Sequence, residues 1–81
     1  MRKLGVVLHV STRGDLILKR DRSNSSLPRI DSIVVDKKLN KIGMIKDIFG
    51  PVDSPYISVK PYKKAINELR ALVGEKLYVK D

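Results

Sequence analysis

Three of the four prolines of this 81-residue chain fall between Gly43 and Pro61, in the run GMIKDIFGPVDSPYISVKP. Proline fixes its own φ and has no amide to donate, so Pro51 and Pro55 are poor continuations of a central strand. Gly50-Pro51 therefore ends one apolar run, and Asp53-Ser54-Pro55 introduces the next. The simplest reading is two strands, residues 42–49 and 56–60, joined by a stiff loop at 50–55. Ile48, Phe49, Val52 and Tyr56 sit in or beside that loop. If Ile42, Met44, Ile57 and Val59 take the inward positions, some of these four face outward. An apolar patch on a rigid backbone is a place for a partner to bind. The competing reading is that the four cap one end of a small core.

A chain of this length makes one domain, residues 1–81, with an economical core. It has no cysteine, which excludes a disulfide framework and a cysteine-ligated metal and fits a cytosolic protein better than a small secreted one. The apolar runs are too short to span a bilayer, and no hydrophobic signal core follows Met1, so the expected location is cytoplasmic. Seventeen Lys and Arg stand against nine Asp and Glu, a net charge of +8. That balance is the footprint of a protein that binds nucleic acid or sits beside it in a ribonucleoprotein. The basic residues are scattered rather than run together, and a heat-adapted surface has the same composition. The aromatic residues are Phe49, Tyr56, Tyr62 and Tyr78, and no strand carries the paired aromatics of a single-strand stacking platform.

Taken in order, Leu4, Val6, Leu8 and Val10 alternate with Gly5, Val7, His9 and Ser11, which is the period of a strand. Gly5 within it marks a bend or a close backbone approach. A turn at 11–15 leads to a second strand at 16–19. Residues 21–29 form a mobile polar loop flanked by Arg20, Arg22 and Arg29, three candidates for contact with phosphate. Strands are expected at 32–36, at 42–49 with Gly43 as a bulge or barrel corner, at 56–60 and at 76–80. Between the last two, Ala65, Ile66, Leu69, Leu72 and Val73 recur at three and four, which predicts a short amphipathic helix over 63–73 stopped by Gly74. Six short strands and one short helix predict an all-β fold, a small antiparallel barrel. Closing the sheet removes its edges, whereas a flat sheet would leave a face that one helix cannot cover.

Catalysis has little to work with. There is one histidine, His9, on a strand, and nothing resembles a strained nucleophile turn. The acids show no metal-loop spacing, and the glycines are too far apart to cradle a phosphate. The chain reads as a non-enzyme without cofactor or metal. Asp36 and Asp47 are read as surface acids paired with Lys41, Lys46 or other neighbours, with an interface-rim role as the sharper alternative.

At the opening stretch the residues match a family pattern. Lys41-Ile-Gly-Met-Ile-Lys-Asp-Ile-Phe-Gly-Pro-Val, followed by Pro55-Tyr-Ile-Ser-Val-Lys, resembles the Gar-type small subunit of box H/ACA ribonucleoproteins. The closing Gly74-Glu-Lys-Leu-Tyr-Val and the early Gly5-Val-Val-Leu-His beside Leu16-Ile-Leu-Lys are similar to the family's last and first strands. The Gly/Arg-rich tails of eukaryotic members have no counterpart in this sequence, so it looks like the minimal archaeal-type core, without tail-mediated RNA binding. The resemblance implies a six-stranded barrel like the second domain of translation factors. It also implies a non-catalytic subunit that binds the catalytic domain of the dyskerin-type pseudouridine synthase and assists substrate loading and turnover in rRNA processing and ribosome biogenesis. Guide RNA and the other core proteins are then partners only within the complex, with no membrane and no small-molecule ligand. The expected location is cytoplasmic in an archaeal-type cell and nucleolar in a eukaryotic one. Carried onto this chain, the partner surface comprises Ile45, Ile48, Phe49, Gly50, Pro51, Val52, Pro55 and Tyr56.

Two other readings remain open: a basic barrel that binds RNA directly, and a ribosome-maturation factor docked on a ribosomal protein. The first predicts RNA affinity with a steep salt slope. The fold allows the second, and only the loop motif argues against it.

Overall fold

In the computed structural model, residues 2–20, 28–51 and 53–80 are described. They form six strands: β1 (Arg2–Val10), β2 (Leu16–Arg20), β3 (Ile33–Val35), β4 (Lys41–Phe49), β5 (Tyr56–Pro61) and β6 (Lys76–Val79). All neighbours are antiparallel, and the order β1-β2-β5-β4-β3-β6 closes on itself into a barrel. The expected strands are all present, each within a residue or two of its predicted bounds, and β1 begins at Arg2. Among the described residues no helix is long and apolar enough to cross a membrane.

The two nine-residue strands carry the curvature. β1 slips register between Lys3 and Gly5 against β6, and again between Val7 and His9 against β2. β4 slips between Lys41 and Gly43 against β3, and between Ile45 and Asp47 against β5. Each slip is a bulge that bends its strand and changes which residues face in. Glycine sits where neighbouring backbone comes closest: a Cβ on Gly5 would run into the Lys19 carbonyl, and one on Gly43 into the Lys60 carbonyl.

The bulges correct the inside–outside reading. Simple alternation puts Leu4, Val6, Leu8 and Val10 on one face of β1, yet the core takes Leu4 and Val7 while Leu8 is exposed. In β4 the core takes Ile42 and Ile45, and Met44 faces out. With Leu16, Leu18, Val34, Ile57, Val59, Leu77 and Val79 these residues fill the barrel.

Ala65 and Leu69 cover one end, from a 3-10 helix at Lys63–Leu72. A ten-residue 3-10 run is unusual. Tyr62 offers no side-chain cap, and Lys63 and Lys64 put positive charge at the positive end of the helix, so nothing local favours an α-turn there. Three residues per turn do not hold a 3.6-residue stripe together. Ile66 and Val73, expected on the buried face, are therefore exposed, and Val73 has already left the helix in extended conformation.

Candidate partner-binding site

The bulge at Lys46 decides what the Gly-Pro region presents. After it, Ile48 pairs with Ile57 and packs inward against the core, and Phe49 pairs with Tyr56 on the outside. The two rings lie 5.8 Å apart between centroids, tilted by 33°. Offset aromatic pairs at this spacing are favourable beyond the area they bury. Phe49 nonetheless stays 43% exposed. Gly50 follows at φ +94°, and a Cβ there would come within 2.8 Å of the Tyr56 ring. Glycine is needed twice over, for the backbone angle and for the ring. Pro51 is exposed, and its carbonyl accepts the Ser54 amide at 3.2 Å, which tightens the turn.

The bulge at Leu8 in β1 supplies the other bank. Leu8, His9, Ser11, Ile17, Phe49 and Tyr56 line an apolar groove of about 380 Å³ on the outer wall, running from β1 over β2 and β5 to the end of β4. Small-molecule pockets of that volume normally carry a few convergent polar groups. This groove is open and mostly hydrocarbon, so protein side chains suit it better. No carboxylate is among its lining residues, so His9 has no acid to orient it there.

Below the groove, the bulged Lys46 reaches Asp15 with a 3.1 Å ion pair. Asp15 is held in turn by its own amide, which donates to the Ser11 hydroxyl at 3.0 Å. The contact ties the β1–β2 turn to the β4 bulge. With Lys46 half-exposed, its worth is on the order of 0.5–1 kcal/mol.

The eight residues singled out by sequence do not form one surface. Phe49, Gly50, Pro51 and Tyr56 reach it. Ile45 is 0% exposed inside the barrel and cannot touch a partner. Ile48 lines the core edge, and Pro55 is buried with its carbonyl accepting the Arg20 amide at 3.3 Å. Val52 lies outside the described residues. Leu8, His9, Ser11 and Ile17 were missed, because they are far from the loop in sequence and join it only through the β1-β2-β5-β4 order. Of the arginines, Arg20 is half-buried at the end of β2, Arg29 is exposed before β3, and Arg22, with most of the polar loop (21–27), lies outside the described residues.

The surface acids are also placed differently from expectation. Lys46 pairs with Asp15 rather than with Asp36 or Asp47. Asp47 accepts the Ile48 amide at 2.8 Å. Asp36 closes the turn before β4: one carboxylate oxygen accepts the amides of Lys38 and Asn40, each at 2.9 Å, and the other accepts the Asn40 side chain at 3.2 Å. Burial works against its charge, but these hydrogen bonds and the nearby Lys38 outweigh it and hold the carboxyl below the usual range.

Among solved structures, the chain is similar to the Gar1 domain of Naf1, with a TM-score of 0.76, covering 96% of this chain and 79% of that one at 23% identity, which establishes the shared fold. It is 41% identical over 81 residues to an uncharacterised protein of Methanothermobacter thermautotrophicus, covering 98% of this chain and 83% of the relative. It is 42% identical over 60 residues to an uncharacterised protein of Methanocaldococcus jannaschii, covering 74% and 68% respectively. The family model described as the Gar1/Naf1 RNA binding region matches residues 1–81. The chain therefore belongs to the Gar1/Naf1 family, the RNA-binding accessory domains associated with H/ACA ribonucleoproteins, pseudouridine synthesis and ribosome biogenesis.

Proposed function

We propose that this chain is the non-catalytic accessory subunit of an H/ACA pseudouridylation complex, docking on the catalytic domain of the dyskerin-type synthase and assisting substrate loading and turnover. The observation that carries the reading is the apolar groove beside the Gly50-Pro51 turn, with the Phe49 and Tyr56 rings at one bank and Leu8 and Ile17 at the other. Interface anchors are commonly aromatic side chains set among aliphatic ones. A turn stiffened by proline and by the Gly50–Tyr56 contact loses little entropy on docking, so apolar contact converts more fully into affinity. The effect on turnover is a population shift: a mobile element of the synthase favours the state in which it meets this surface better.

The test is a titration of the chain with the synthase catalytic domain, without RNA, at moderate and high salt. Tight binding that survives salt supports the reading. Phe49→Ala should weaken it about 30-fold, the size of an interface hot spot. Pro51→Ala should weaken it about 3-fold through loop entropy. Unchanged affinity in both variants removes the turn from the interface, and binding only through RNA removes the reading.

A further inference from the structure

The opposite wall of the barrel carries a pattern that docking at the groove does not use. The β4 register pairs Met44 with Lys60 on β5 and with Ile33 on β3. Val34 pairs with Val79, so Lys80 lies beside Ile33, and its amide donates to the Ile33 carbonyl at 2.9 Å. One row across four strands therefore reads Lys60-Met44-Ile33-Lys80. The next row is Lys41-Val35-Tyr78-Lys3, from the pairs Val35–Lys41, Val35–Tyr78 and Lys3–Tyr78. Their chain neighbours Leu4, Val34, Ile42, Val59 and Val79 point into the core, so these eight residues face out. Each row is an apolar pair bracketed by two lysines.

The dimensions follow from sheet geometry. The ends of a row are three strand spacings apart, about 14 Å, and the rows are two residues apart on β3 and β6 and three on β4, about 7–10 Å. The floor is packed: Val35 is 1% exposed although it lies outside the core cluster, and Ile33, Met44 and Tyr78 are half-buried. Among the described residues, Lys41, Lys60 and Lys80 make no ion pair. The nearby Asp36 is engaged by the amides of its own turn.

We propose that this lysine frame is the site at which the barrel holds a single strand of RNA, with the ammonium groups of Lys41, Lys60 and Lys80 on spaced phosphates and the Tyr78 ring on a base or ribose. Lysines at the matching ends of the two rows stand about 8–11 Å apart, two to three axial rises of a stacked strand at ~3.4 Å each. A protein partner would have to strip water from the ammonium groups of Lys41, Lys60 and Lys80 to reach a floor that is already covered. A phosphate strand leaves the lysines wet and gains from released counterions. The half-buried Tyr78 ring adds stacking that tolerates any base. The inference is independent of synthase docking, which uses the other wall.

The test is fluorescence anisotropy of the full chain with a labelled 12-nucleotide single-stranded RNA of mixed sequence over a salt series. The triple variant Lys41→Gln/Lys60→Gln/Lys80→Gln should lose at least about tenfold in affinity, and its log–log salt slope should fall by about 2, three phosphate contacts at ~0.7 each. The control Arg13→Gln/Lys19→Gln/Arg70→Gln removes equal charge elsewhere and should change affinity less than about threefold. Tyr78→Leu should weaken binding about fivefold without changing the slope. Thermal melts show whether each variant is folded, and Lys60→Glu alone, at one corner of the frame, provides a second, minimal perturbation with a loss of about threefold or more. Equal losses in the two triples would reduce the site to net charge and overturn the proposal. So would an unchanged salt slope in the frame variant, or displacement of the RNA by polyglutamate at equal charge concentration.

Discussion

The barrel has two outer walls that both carry apolar side chains, and they differ in what stands over them. On the groove wall Leu8 and Phe49 are about two-fifths exposed, and the apolar surface is open to a partner. On the frame wall Val35 is shut away, and lysines stand at both ends of each apolar pair. Long lysine stems cover hydrocarbon while keeping their charges in water. The same number of apolar residues thus yields a surface suited to another protein on one side and a surface suited to a polyanion on the other. Bulges produce part of the difference: at Leu8 and at Lys46 an extra residue is pushed outward, and the strand beyond is re-aimed so that Phe49 comes to lie on Tyr56.

The strongest way to break this comparison is to damage the strand that both walls share. β4 contributes Phe49 to one and Met44 and Lys41 to the other. Gly43→Ala sets a Cβ against the Lys60 carbonyl, which is backbone and cannot swing aside. Overpacking of this kind should cost about 3 kcal/mol in a denaturant titration, with Tm lower by more than about 10 °C. Synthase and RNA binding should fail together as the protein unfolds. A Gly43→Ala protein of normal stability that loses only one activity would show that the walls are not coupled through this ladder.

A smaller change should separate them. Leu8→Asp places a charge in the groove at an exposed bulge, where the fold tolerates it. Synthase affinity should fall about 30-fold, while RNA affinity stays within about twofold. The converse is expected of the lysine-frame triple. If Leu8→Asp weakens both equally, the two walls are a single interface.

How far the sequence reached can be judged on the same residues. The strands are legible because alternation, glycine and proline act locally: Gly5 marks a close backbone approach and Gly43 stands at a bulge. Phe49 and Tyr56 were legible because two prolines confine the turn between them. The phase of each strand was not. Alternation sets Leu8 on one face with Leu4 and makes Met44 inward, because a bulge leaves no local trace in an alternating run. The family resemblance carries Ile45 onto the partner surface, and the same bulges put it inside. The lysine rows were invisible for another reason. Lys3, Lys41, Lys60 and Lys80 are neighbours only through the β5-β4-β3-β6-β1 order, which no window of sequence contains. Ile66 and Val73 fall on the buried face of an α-helix, whereas the chain forms a 3-10 helix that turns them out.

The finest distinction between the walls is a response to acid. Asp36 fixes the turn that delivers Lys41 to the frame, and no comparable carboxylate lines the groove. Its pKa is held below the ordinary carboxylate range, so the folded state binds its proton less readily than the unfolded chain does. The stability it contributes is therefore fully present above the unfolded pKa and is lost as pH falls through the lower folded value. The carboxyl is largely solvated, so the effect is small. Asp36→Asn should melt about 2–4 °C below the parent at pH 7, and the gap should close as pH drops below the ordinary carboxylate range. Amide exchange should locate the change: Lys38 and Asn40 lose protection in acid, while the Phe49–Tyr56 ladder keeps its own. A melting gap that persists unchanged to pH 2 would mean that Asp36 acts through its shape rather than its charge, and the acid response would no longer distinguish one wall from the other.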